Sequence, residues 1–145
     1  MRSVRDDSGT RLLLVKQSGE SSRVRDPTTG EERYVPNEAL EPLDESPLAT
    51  TARAVPESAR TILTAVRDDR TLGLLLELDA RGPLAVRDVL AAYDLCESDL
   101  HGALAEFRAA GLVAETTVAG ERGYRITENA SDGLAHLRDG SGPED

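Results

Sequence analysis

Between Thr71 and Thr127 the apolar positions fall into three segments of helical period followed by two that alternate. Leu72, Leu74, Leu75, Leu76 and Leu78 make the first segment apolar around most of its circumference, the pattern of a helix buried among others. Val86, Val89, Leu90 and Tyr93 recur at i, i+3, i+4 and i+7 with Arg87, Asp88 and Ala91 opposite, and Leu100, Ala103, Leu104 and Phe107 repeat that spacing. Only Tyr93-Asp94-Leu95-Cys96 separates these two stripes, so a tight turn must hold the helices at a steep angle, with Leu95 plugging the corner. Gly111 then acts as a left-handed helix stop. Val113, Glu115 and Thr117, then Tyr124 and Ile126, alternate with their neighbours as strands do, and Ala119 to Gly123 supplies the turn between them.

Three helices and a hairpin in this order predict a winged helix-turn-helix. The landmarks Leu95-Cys96-Glu97-Ser98-Asp99-Leu100, Leu104, Ala110-Gly111-Leu112-Val113 and Tyr124-Arg125-Ile126-Thr127-Glu128-Asn129-Ala130 also resemble those of the MarR, ArsR and PadR-like winged helix superfamily. The resemblance covers roughly the second half of the chain. It implies the fold more strongly than the function, because winged helices bind DNA, RNA and other proteins.

Upstream, Arg11 to Lys16 is a short apolar run, and Ser22 to Arg25 and Glu32 to Val35 alternate. Ser18-Gly19-Glu20 and Asp26 to Gly30 supply turns. Residues 1–40 therefore predict a small antiparallel β-meander of three strands, with Ser3 to Arg5 as a candidate fourth. So small a sheet needs a cover, either the winged helix or a second chain. Residues 41–55, with Pro42, Pro47 and several acids, read as a linker. Pro56 opens a further helix with a stripe of Ala59, Ile62, Leu63 and Val66, and Glu128 to Arg138 carries Ala130, Leu134 and Leu137 on one face. The predicted α+β chain thus has a winged helix domain over residues 56–138. In the superfamily such flanking helices commonly form a dimer interface, which the resemblance places at Ile62, Leu63, Val66, Leu134 and Leu137. Residues 139–145 are disordered by composition.

Charge changes the picture of the partner. Seventeen basic residues face 27 acidic ones for a net charge of −10, and Lys16 is the one lysine. This composition resembles that of cytoplasmic proteins of extreme halophiles, which points to a halophilic archaeal member of the superfamily; an acidic protein from a GC-rich genome is the alternative. Crowded surface carboxylates repel one another unless concentrated cations screen them, the Debye length falling to about 3 Å at 1 M salt. The acidity is downstream: residues 1–40 hold seven basic and seven acidic side chains, Glu57 to Arg138 nine and fourteen. No run approaches membrane-spanning length and the N-terminus lacks a signal-peptide core, so a cytoplasmic location is expected.

Catalytic motifs are missing: no phosphate-binding loop, serine elbow or paired-histidine helix occurs. His101 and His136 stand apart, the lone Cys96 excludes an internal disulfide, and no metal or cofactor is expected. Cys96 stands where the superfamily often has a capping Ser; its alternative reading is a redox-sensing thiolate, disfavoured by Glu97 and Asp99 beside it. The face of the third helix that a major groove would meet is Glu97, Ser98, His101, Gly102, Ala105 and Arg108, poorly equipped for phosphates. Gly102 falls where many superfamily members carry Arg or another contacting side chain. Arg122 and Arg125 in the wing and Arg87 on the second helix are the best cations. The expected function is a dimeric transcriptional regulator that binds double-stranded DNA through Arg87, Ser98, His101, Gly102, Arg108, Arg122 and Arg125. The alternative is a winged helix protein-interaction module in transcription or chromosome machinery, with the N-terminal sheet as a surface for a protein partner. No membrane partner is expected.

Overall fold

The computed structural model describes residues 1–139, which fall into two compact units divided after Val55. In the first unit, β1 (Arg2–Arg5), β2 (Arg11–Gln17), β3 (Ser21–Arg25), β4 (Glu32–Pro36) and β5 (Glu41–Pro42) form an antiparallel sheet in the order β4-β3-β2-β1-β5. A short 3-10 helix, Asn37–Ala39, precedes β5, and α1 (Pro47–Ala52) follows it. β1 therefore pairs both with its sequence neighbour β2 and with the short last strand β5.

The linker expected over residues 41–55 is therefore corrected to structured chain. Pro42 lies in the edge strand β5, where a missing N–H is tolerated, and Pro47 opens α1 with its preset φ. The alternation of each strand sorts its side chains. Val4, Leu12, Val24 and Val35 bury one face as a small core, with Leu14, Ala39 and Leu40 at its margin. On the other face the register partners Ser3 and Leu13 are buried, and Thr50 Oγ1 of α1 lies 2.6 Å from Ser3 Oγ. α1 thus covers the Ser3 and Leu13 side of β1 and β2 within the unit. A register shift between Leu14 and Lys16 marks a bulge that bends β2.

The second unit contains α2 (Glu57–Ala65), α3 (Asp69–Arg81), β6 (Leu84–Ala85), α4 (Val86–Ala92), α5 (Glu97–Ala109), β7 (Val113–Val118), β8 (Glu121–Ile126) and α6 (Glu128–Asp139). The run α3-β6-α4-α5-β7-β8 is a winged helix-turn-helix. Leu74, Leu75 and Leu78 of α3, Val89 of α4 and Leu100, Leu104 and Phe107 of α5 share one core with Leu112, Val113 and Tyr124. Leu95 packs against that core from the turn joining α4 to α5. Asp68 caps α3 reciprocally, its Oδ1 accepting from Thr71 N at 2.9 Å while the Thr71 hydroxyl engages Asp68. Gly111, at φ 75°, ends the α5 segment as its sequence position predicts.

Three expectations need correction here. The wing sheet has three strands, not two, because β6 pairs with β8 through Leu84↔Tyr124 and Ala85↔Gly123. The hairpin turn is only Ala119-Gly120, at φ 51° and 80°, the positive dihedrals that a two-residue turn needs to follow strand twist. Glu121, Arg122 and Gly123 accordingly belong to β8. Finally, Asp139 ends α6, whereas the rest of the stretch read as a tail lies outside the described residues.

The flanking helices α2 and α6 pack on each other at close range. A Cβ on Gly133 would lie 2.4 Å from the Ser58 carbonyl oxygen and 2.6 Å from Ile62 Cδ1, so only glycine permits this approach. Ile62, Ala130 and Leu134 are buried by it and join the winged core.

Candidate nucleic-acid interface

The helix α5 turns Leu100, Leu104 and Phe107 inward, which leaves Ser98, Gly102, Ala105 and Ala109 along its outer side. These four are exposed, small and uncharged. His101 is half-buried beside this stripe, its Nε2 3.5 Å from Glu97 Oε1, and Glu97 and Asp99 place two carboxylates in the first turn. Cys96 occupies the position before the helix without a capping bond; it is exposed and its Sγ lies 3.4 Å from Ser98 Oγ.

Cations flank the stripe on both sides. On the wing side, Arg108 from the last turn of α5 and Arg122 from β8 converge on Glu115 of β7. Arg108 Nη1 lies 3.1 Å and Arg122 Nη2 2.9 Å from the same oxygen, Glu115 Oε1. Arg122 also donates to the Tyr124 hydroxyl at 2.8 Å. That bond first, and Glu115 next, raise the Arg122 guanidinium above its ordinary range. On the opposite flank, Arg67 and Arg70 line a groove of about 290 Å³ between the start of α3 and α5, together with Ser98, Asp99 and Gly102. Arg67 pairs with Glu106, and Arg70 donates to the Asp94 carbonyl oxygen.

The structure separates residues that the sequence reading grouped. Arg122 and Arg125 are three apart in one strand, so the pleat turns them to opposite faces of the hairpin. Arg122 shares its face with Glu115 and Tyr124, while Arg125 shares the other with Glu121 and Gly123. They do not form one grip. Arg125 is exposed and makes no ion pair among the described residues. Arg87 of α4 reaches Glu121 Oε1 at 3.1 Å, which links α4 to β8. Of the seven residues assigned to DNA, Ser98, Gly102 and Arg108 lie on α5 with His101 at their side, Arg122 joins them through Glu115, and Arg87 and Arg125 lie elsewhere on the wing sheet and α4.

The residues assigned to dimerisation also divide. Ile62 and Leu134 are 1% exposed inside the unit, which removes them from any outer surface, and Val66 is half-buried against the core. Leu63 and Leu137 remain, 59% and 42% exposed. Sequence reasoning missed Arg67, Arg70 and Ala109. The signal for the first two was their place at the start of α3, and for Ala109 the continuation of the Ser98-Gly102-Ala105 spacing.

Among the described residues no group of three or more His, Cys, Asp or Glu side chains is placed to hold a metal ion, and no helix is long and apolar enough to cross a membrane. No curated protein matches the chain. A solved structure, that of the transcriptional regulator HlyU from Vibrio vulnificus CMCP6, is similar with a TM-score of 0.49 at 26% identity, over 65% of this chain and 93% of that chain. Residues 1–138 match a family model, and the chain therefore belongs to the family described as "Family of unknown function (DUF7346)".

Proposed function

We propose that the protein is a DNA-binding transcriptional regulator of winged helix type that acts as a homodimer. The observation that carries this reading is the outer side of α5, an uncharged stripe of small residues with arginines along both flanks. A double helix presents base edges between two phosphate rows. A helix whose outer side chains are small approaches the bases closely while arginines on either side meet the rows. Ser98 and His101 are the base readers in this arrangement, and Arg108, Arg122, Arg67 and Arg70 the phosphate contacts. Arg125 and Arg87, on the other face of the hairpin and on α4, stand apart from this set of contacts. Leu63 and Leu137 are the exposed apolar residues through which α2 and α6 meet a second copy.

The net charge of −10 sets the working condition. In the concentrated salt of a halophilic cytoplasm, phosphate contacts lose affinity steeply, by about −0.9 in log-log slope per neutralised phosphate. Specificity must then come from a few base contacts and from fit.

A second reading has its own observation. Glu115, Glu121 and Glu106 neutralise Arg108, Arg122, Arg87 and Arg67 within the molecule, as suits a winged helix that docks onto a protein in transcription or chromosome machinery. Selection from a random duplex library at 0.2 M and at 1 to 2 M KCl separates the two. The regulator reading expects a recurring site at both concentrations; enrichment of nothing at either replaces it with the interaction module.

A further inference from the structure

α1 covers Ser3 and Leu13 on one face of the first sheet, and toward β3 and β4 that same face is open and carries charge that its own carboxylates do not cancel. Strand register places Lys16, Arg23 and Tyr34 side by side across β2, β3 and β4, and Leu13, Arg25 and Glu32 in the next row. Directly paired residues share a face, so Lys16 and Arg23 are like charges set opposite each other, an arrangement that costs stability. Glu32 is the shared partner of Arg23 at 2.5 Å and Arg25 at 3.0 Å, and Glu45 the shared partner of Arg11 at 3.2 Å and Arg53 at 2.9 Å. Each carboxylate thus leaves one guanidinium charge unbalanced. Lys16 is exposed and has no carboxylate partner among the described residues. Of the other acids of this unit, Asp6 and Glu41 pair with Arg33 and Arg5, and Asp7, Glu20, Asp26, Glu31, Glu38 and Asp44 sit in the turns or in the 3-10 helix and not on this row. Tyr34, the one aromatic residue of this unit's sequence, completes the row with 64% of its surface exposed.

We infer that this face binds a single-stranded nucleic acid, with phosphates on Lys16, Arg23 and Arg25 and a base stacked on Tyr34. Three features of this face select that partner. A cationic row within a chain of net charge −10 calls for a polyanion; an exposed ring among the cations calls for a flat partner; and a sheet face accepts an extended strand where a duplex would meet only its own convex backbone. The like-charge pair Lys16 and Arg23 is relieved when a phosphate lies between them. This site belongs to the first unit and takes a different ligand from the duplex site on α5 of the second.

The test uses the full chain and fluorescein-labelled 15-nucleotide oligothymidylate and oligouridylate, read by anisotropy from 0.1 to 1 M KCl, with circular dichroism confirming the fold at each concentration. Saturable binding of either probe supports the inference. The double variant Lys16→Gln, Arg23→Gln should flatten the log-log salt slope by about 1.4, at roughly 0.7 per phosphate on a single strand, and so lower affinity about tenfold at 0.2 M KCl. Tyr34→Ala should instead weaken binding roughly tenfold at every salt concentration with the slope unchanged. Both substitutions are of exposed residues, and thermal melting shows whether either has disturbed the unit. The inference is overturned if neither probe binds, if a folded Tyr34→Ala binds as tightly as the parent, or if polyglutamate competes as well as the oligonucleotide at equal charge.

Discussion

Replacing Glu115 by Gln releases the two arginines that converge on it, and the consequence for DNA can be worked from the geometry. Arg108 and Arg122 share one carboxylate oxygen, at 3.1 and 2.9 Å, so the cluster carries one net positive charge. Glutamine keeps the shape and a hydrogen-bond acceptor but raises that charge by one. One additional phosphate neutralised steepens the log-log salt dependence by about 0.9, which amounts to about fourfold tighter binding at 0.2 M KCl and no gain near 1 M. The arginines and Glu115 are all substantially exposed, so the pairs themselves contribute little to folding and the variant should melt close to the parent. The assay is anisotropy of a selected duplex titrated with parent and Glu115→Gln protein from 0.1 to 1 M KCl. An unchanged slope, or weaker binding at every salt concentration, would refute the idea that Glu115 withholds Arg108 and Arg122 from phosphates.

Other predictions follow from packing and charge. Gly133→Ala sets a methyl 2.4 Å from the Ser58 carbonyl, so α2 and α6 must separate, and thermal or urea unfolding should show a loss of about 2–3 kcal/mol. Glu45 is held below its ordinary value of 4.5, chiefly by its hydrogen bond from Arg53. A depressed carboxylate stabilises the fold above its unfolded pKa and loses that effect as pH falls through the folded value. Urea unfolding should therefore show Glu45→Gln less stable than the parent at pH 7, with the difference closing below about pH 4.5. Leu63→Glu combined with Leu137→Glu should turn a dimer into a folded monomer in light scattering at tens of micromolar; a parent that is already monomeric there removes the dimer from the account.

The parts of the fold legible in sequence are those whose signal repeats within one element. The stripes of α3, α4 and α5 each place several apolar residues on one face, and Gly111 and Gly120 mark breaks by their positive φ. What escaped is short or borrowed from elsewhere. β6 is two residues long and cannot display a period; its trace is Gly123, where a Cβ would lie 2.6 Å from the Leu84 carbonyl oxygen. β5 and α1 hide in a Pro-rich stretch because Pro42 and Pro47 occupy tolerated positions there, not breaks.

The site was less legible than the fold. Which partner covers an apolar stripe is not written in the stripe, so Ile62 and Leu134 looked like an interface and proved to be core. The sharing of Glu115 by Arg108 and Arg122 joins α5, β7 and β8, and no local pattern announces a contact between three elements. The opposite facing of Arg122 and Arg125, by contrast, was open to reading. It follows from strand parity once the turn is confined to Ala119-Gly120.

The central claim is that the outer side of α5 enters a DNA groove, and Gly102→Leu tests it most directly. A Cβ at Gly102 meets nothing within 4 Å, and leucine favours a helix over glycine by roughly 0.7–1 kcal/mol, so the fold should be kept or strengthened. The added side chain stands in the middle of the small-residue stripe, where close approach of base edges leaves it no room. Measured on the duplex recovered by selection, the variant should melt at or above the parent's temperature yet bind about a hundredfold more weakly, since each blocked base-pair contact is worth roughly 1–3 kcal/mol. A stable Gly102→Leu protein that binds that duplex as tightly as the parent would contradict the claim.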